Sequence, residues 1–120
     1  MSRSLVVKVT CGAEAPERCA QAFTVAATAV AAGAEVSLWL TGEASWLALP
    51  GRAEDFTLPH SAPLAQLRDA VLADGRLTLC AQCAARRDLG PDDVLPGVRI
   101  AGAQTLVEEV LADDAQALVY

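Results

Sequence analysis

A chain of 120 residues has room for one domain and one core, and 53% hydrophobic residues are enough to fill it. Nine Lys and Arg stand against 15 Asp and Glu, a net charge of −6. An acidic surface without a basic stripe repels phosphates, which argues against direct nucleic-acid binding and against adsorption to a membrane.

The opening MSRSLVVKVT lacks the apolar length of a signal peptide, and Lys8 interrupts its short run. Leu5 to Val9 reads as a strand buried on both faces. A turn follows at Cys11-Gly12, and Pro16 suits the first turn of a helix. That helix places Cys19, Phe23, Ala26 and Val30 on one stripe and ends at Gly33 as a left-handed cap. Its apolar stretch, Ala22 to Ala32, is mostly alanine and too short to span a bilayer. Val36 to Leu40 is the second strand, and Thr41-Gly42-Glu43 turns into a short helix with Trp46 and Leu47. Pro50 to Pro59 reads as a surface loop.

Ser61 is placed to cap a helix with Leu64, Leu67, Val71 and Leu72 on one face. After Asp74-Gly75, Arg76 to Leu79 leads as a third strand into Cys80. A helical turn carrying Cys83, Arg86 and Arg87 stops at Gly90-Pro91. Val98 to Ile100 is a fourth strand, Leu106, Val107, Val110 and Leu111 mark the last helix, and Ala117 to Tyr120 closes as a fifth strand. Alternating strands and helices predict an α/β fold: a three-layer α/β/α sandwich around a mostly parallel five-stranded sheet, wound like flavodoxin. Residues 1–120 form a single domain.

In open parallel sheets, reactive groups collect beyond the carboxyl ends of the strands. Cys11 and Cys80 both follow strand ends and belong to that rim; they meet only if the first and third strands are neighbours. Cys80-Ala81-Gln82-Cys83 is the most specific feature. A thiol at a strand-to-helix junction gains thiolate character from the helix N-terminus, with Arg86 or Arg87 adding to it if the chain folds back. Cys83, one turn on, is then placed to resolve a mixed disulfide or a persulfide on Cys80. Against this stand a small buried hydrophobe ending a strand, and two arginines that merely complement a helix C-terminus.

A structural zinc needs four ligands, and only Cys11 and His60 remain to join Cys80 and Cys83, so no metal is expected. Thioredoxin-like exchange places its Cys-x-x-Cys near the first βαβ unit, whereas here the motif follows the third strand. Cys19 belongs to the core and His60 to a solvated loop. Trp39 and Trp46 read as core or interface aromatics, and Glu108, Glu109, Asp113 and Asp114 as a solvated helix face and its end. Cys11, Gly12, Thr41 and Gly42 are candidates for a rim pocket. No Walker loop, GxGxxG, HExxH or GxSxG occurs.

Three segments are similar to the DsrE/DsrF-like (DsrEFH or YchN-like) family of small sulfur-relay domains. They are VTCGAEAPERCAQAF with AAGAEVSLWLTGEA, the LTLCAQCAARRDLG segment, and the close VLPGVRIAGAQTLVEEVLADDAQALVY. The resemblance implies a parallel five-stranded sandwich that assembles into homo-oligomers, trimers or hexamers, with a persulfide carried at the position of Cys80. Such a relay has sulfur donor and acceptor proteins as partners and needs no cofactor, because the sulfur–sulfur bond supplies the reactivity; the opening segment and the short apolar run are those expected of a cytoplasmic protein, where thiols stay reduced. The competing readings are a non-catalytic oligomeric module that binds a small ligand or a protein, and a thiol–disulfide redox protein.

Overall fold

The computed structural model describes residues 3–120. Five strands, β1 (Ser4–Val9), β2 (Glu35–Leu40), β3 (Arg76–Cys80), β4 (Arg99–Ala101) and β5 (Ala115–Val119), form one parallel sheet in the order β4-β3-β2-β1-β5. Four helices connect them: α1 (Pro16–Ala31), α2 (Leu64–Asp74), α3 (Ala81–Arg86) and α4 (Ala103–Val110). A 3-10 segment, Gly42–Ala48, leaves the end of β2.

The winding follows from handedness. Right-handed crossovers that step from β1 to β4 in one direction keep their helices on one face, and the return from β4 to β5 puts α4 on the other. The double winding resembles flavodoxin, but the reversal comes at the last crossover here, whereas the flavodoxin order 2-1-3-4-5 reverses after the first.

Strand alternation divides the two faces. Val7 and Val9, Val36, Leu38 and Leu40, and Leu77 and Leu79 turn toward α1 and α2, where Cys19, Ala22, Phe23, Ala26, Leu64 and Val71 complete the core. The expected α1 stripe is there, with Cys19, Phe23 and Ala26 fully buried. Its alanines let α1 lie close to the strands. Fully burying a side chain such as Phe23 or Leu38 stabilises the fold by about 1.5–3 kcal/mol.

The opposite face is polar and is organised by Glu109. Ser37 Oγ (2.6 Å) and Trp39 Nε1 (2.9 Å) donate to its Oε1, while Arg99 Nη2 (2.6 Å) and Arg76 Nη1 (3.1 Å) donate to its Oε2. Arg99 also donates through Nε to Thr78 Oγ1 at 2.9 Å and lies 5.3 Å from the centroid of the Trp39 ring. Burial alone would raise the Glu109 carboxyl. The hydrogen bonds from Ser37, Trp39 and Arg99, with the Arg99 charge, outweigh it and hold the group at about 2. The expectation of a solvated Glu109 is therefore wrong: it turns to the sheet and pins α4, while Val107 of that helix and Leu111 just past its end are exposed, as are Leu118 and Val119 of β5.

Two further expectations fail. Ser61 does not cap α2; its hydroxyl donates to the Ala62 carbonyl, and the helix starts after Pro63 without a side-chain cap. The loop from Pro50 to Pro59 is not wholly superficial. Ala53 is buried, and Glu54 accepts two bonds, at 3.0 and 2.9 Å, from the guanidinium of buried Arg68 on α2.

Candidate functional site

Three connections meet beyond the carboxyl ends of β1, β2 and β3, and their fit rests on two glycines. Gly42 has φ +53, and a Cβ there would lie 2.5 Å from the Thr10 carbonyl oxygen. At Gly12 a Cβ would lie 2.7 Å from the Glu43 carbonyl oxygen. The turn after β1 and the 3-10 segment after β2 are thus in backbone contact that admits no side chain. Thr41 adds a tie, with its hydroxyl donating to the Val9 carbonyl at 2.8 Å and its N–H to the same oxygen at 3.0 Å.

The third connection carries the thiols. Cys80 ends β3 with extended φ and ψ (−60 and 126) and occupies the N-cap position of α3. It is partly exposed, and Cys83, one turn further, is buried. Residues three apart on a helical turn face one another at about 5–6 Å between Cβ atoms. This spacing sets Cys80 and Cys83 on one side of the turn. The Cys83 sulfur accepts the N–H of Gly42 at 3.3 Å.

Arg87 folds back over this turn. Its Nη1 donates to the Cys83 carbonyl at 3.1 Å, and its Nη2 and Nε donate to Glu43 Oε2 at 2.9 and 3.3 Å. Burial would push the Cys83 thiol up, but the Gly42 N–H, the Cys80 thiol and the charges of Arg87 and Arg86 together bring it below the ordinary value of 9.0. Cys83, read from sequence as the resolving thiol, is thus itself brought toward the thiolate. Glu43 is lowered in turn, chiefly by its hydrogen bond from Arg87.

The other two thiols lie apart from this pair. β2 separates β1 from β3, so Cys11 and Cys80 do not follow neighbouring strands; two strand spacings are ~10 Å. Cys11 is buried, and burial raises its pKa, with Glu14 adding to the effect and Arg18 opposing it. Cys19 is pushed up to about 12 by burial first, then by nearby Cys11 and Glu14. Such thiols are poor nucleophiles. Cys11, Gly12, Thr41 and Gly42 belong to the packed junction itself. A cavity of about 520 Å³ opens next to them, lined by Ala13, Glu14, Glu43, Trp46, Arg52 and Phe56 among others. Among the described residues, no three His, Cys, Asp or Glu side chains are grouped to hold a metal ion. His60 is exposed, with φ 60.

Gly42 as a partner of Cys83, and Glu43 as the partner of Arg87, escape a reading by motif, since they lie more than 40 residues away (|i−j| of 41 and 44). No sequence signal marks them, because it is strand pairing that brings the two turns together. No helix is long and apolar enough to cross a membrane among the described residues.

Comparison with known proteins agrees with this architecture. The model of the DsrE/DsrF-like family matches residues 3–117. Among solved structures, the ychN protein from E. coli superimposes with a TM-score of 0.80 at 18% identity, over 100% of both chains. A protein of unknown function, MTH1491 from Methanobacterium thermoautotrophicum, gives 0.66 at 10% identity, again over 100% of both. At these identities the structures speak for the fold alone. A search of curated proteins returns no match.

Proposed function

Given that the chain belongs to the DsrE/DsrF-like family, we propose that it is a sulfur-relay protein in which Cys80 carries sulfur as a persulfide and Cys83 controls its release. The observation that supports this reading is the pair of free thiols at the end of β3, one partly exposed and one buried, accepting a backbone N–H under the charges of two arginines.

In the loading step the Cys80 thiolate attacks the outer sulfur of a donor persulfide, R–S–SH. The donor's S–S bond breaks, R–S⁻ leaves with the electron pair, and Cys80–S–SH forms. An acceptor thiolate on a partner then takes the same outer sulfur and returns Cys80 as thiolate. The S–S bond supplies the reactivity, so neither metal nor organic cofactor takes part. Donor and acceptor are proteins with thiols of their own, and the setting is cytoplasmic, which suits four unpaired cysteines. Assembly into a trimer or hexamer is supported by the apolar side chains of α4 and β5 that the single chain leaves uncovered.

The test is mass mapping after incubation of reduced protein with cysteine persulfide and alkylation. Cys80 should gain one sulfur, and Cys80→Ser should abolish uptake. Sulfur found on other thiols but not on Cys80 would refute the assignment. A non-catalytic binding module would instead show no uptake, and alkylation of the Cys80–Cys83 turn only at alkaline pH.

A further inference from the structure

Arg87 is more than one of two cations near a thiol. Its guanidinium joins both walls of the site, bonding the Cys83 carbonyl on α3 and the Glu43 carboxylate on the 3-10 segment. Its guanidinium is largely covered, with 18% of the side chain exposed, while Glu43 is half open at 52%. A fork held at both ends by hydrogen bonds loses little freedom on keeping its place. Around the Cys83 sulfur stand Cys80 from the strand end, the Gly42 N–H from the 3-10 segment, and the charges of Arg86 and Arg87 from its own connection, while Glu43 acts on it through Arg87.

We infer that Arg87, anchored by Glu43, is the positioning residue that sets how fast Cys83 discharges a persulfide on Cys80, and so whether the site stores sulfur or releases it as sulfide. The inference rests on the sulfur-relay reading. The step it governs is attack of the Cys83 thiolate on the inner sulfur of Cys80–S–SH. A Cys80–Cys83 disulfide forms, the persulfide S–S bond breaks, and HS⁻ leaves with the electron pair. The sulfane sulfur is reduced, the two cysteines are oxidised, and a dithiol reductant must reopen the disulfide before another cycle. Arg87 holds positive charge beside the attacking sulfur and steadies the helical turn that aims it.

The experiment has two arms. In the Cys80→Ser background, the alkylation rate of Cys83 is followed against pH with iodoacetamide, a measurement that needs no persulfide. Arg87→Gln should move the midpoint upward by about one pH unit, which is a ~10-fold loss of thiolate near neutrality. Glu43→Gln should move it the same way but less, by releasing the guanidinium, and Arg87→Lys should recover part of the shift because charge returns without the fork. In the second arm, single-turnover sulfide release from persulfide-loaded protein should slow ~3–10-fold in Arg87→Gln, the attacking thiol's intrinsic nucleophilicity offsetting part of the pKa effect.

A merely structural Arg87 would lower the melting temperature and leave the midpoint in place, and that result overturns the inference. Normal loading, with midpoint and release both unchanged in Arg87→Gln, overturns it as well and leaves the relay standing. Failure of the unaltered protein to take up sulfur overturns the relay reading itself, and the discharge role with it, whatever the midpoints do.

Discussion

Replacing Glu109 by Gln keeps the side chain's shape and removes the charge on which Ser37, Trp39, Arg76 and Arg99 converge. Burial opposes that charge and the donors more than offset it, so the carboxyl titrates at about 2 in the folded chain against an ordinary 4.5. At about 1.4 kcal/mol per pH unit this is worth ~3 kcal/mol of stability at neutral pH. The sign follows from the direction of the shift. A carboxyl depressed by folding contributes fully above its unfolded value, and the contribution is lost as pH falls from about 4.5 through about 2. Urea denaturation at intervals between about pH 7 and pH 2 measures it, as the difference between the two proteins. Subtracting them removes other acids, including Glu54, which is also held at about 2, by its bond from Arg68 first. The gap should be about constant above pH 5 and close progressively below it. Curves that stay parallel down to pH 2 would refute the reasoning, because the charge would then contribute nothing specific to folding.

Gly42→Ala should cost about 2 kcal/mol or more by chemical denaturation, since it adds a Cβ 2.5 Å from a backbone oxygen at φ +53. Gly90→Ala, whose Cβ would meet only an Asp93 carboxylate oxygen at 3.9 Å, should stay within ~1 kcal/mol; equal effects would count against the interlocked junction. Arg68→Ala, which strips a buried cation from its Glu54 and Asp69 partners, should cost ~3 kcal/mol. Arg68→Met, which refills the space, should cost clearly less, and an unchanged urea midpoint for Arg68→Ala would show that the loop from Pro50 is not fastened there.

The layers of the fold were legible because their causes are local. VVKV, VSLWL and RLTLC carry the strand residues in consecutive runs, and the Cys19–Phe23–Ala26 spacing writes one helix face into the chain. The position of the Cys80–Cys83 turn at a strand end was legible for the same reason. Strand order was not, because pairing is a long-range choice, and with it went the question of whether Cys11 faces Cys80. The lowering of the Cys83 thiol was not legible, because the Gly42 N–H and the Glu43 carboxylate that holds Arg87 arrive from another connection. Glu109 was misread through its neighbours Glu108, Asp113 and Asp114. Its spacing of three from Leu106 and one from Val110 sets it on the inward stripe, and two arginines with a buried indole N–H awaited an acceptor. Arg68 hid in the same way among Leu64, Leu67 and Val71.

The fastening of α4 through one carboxylate gives the molecule two sides that respond to different stresses. The helices over the aliphatic layer loosen only when water is admitted to that layer, in global denaturation. The lone helix on the other side holds by ion pairs, which dissolved salt and acid weaken without disturbing the rest. Amide exchange should therefore be fastest along this helix, and it should quicken with ionic strength while the opposite layer keeps its protection.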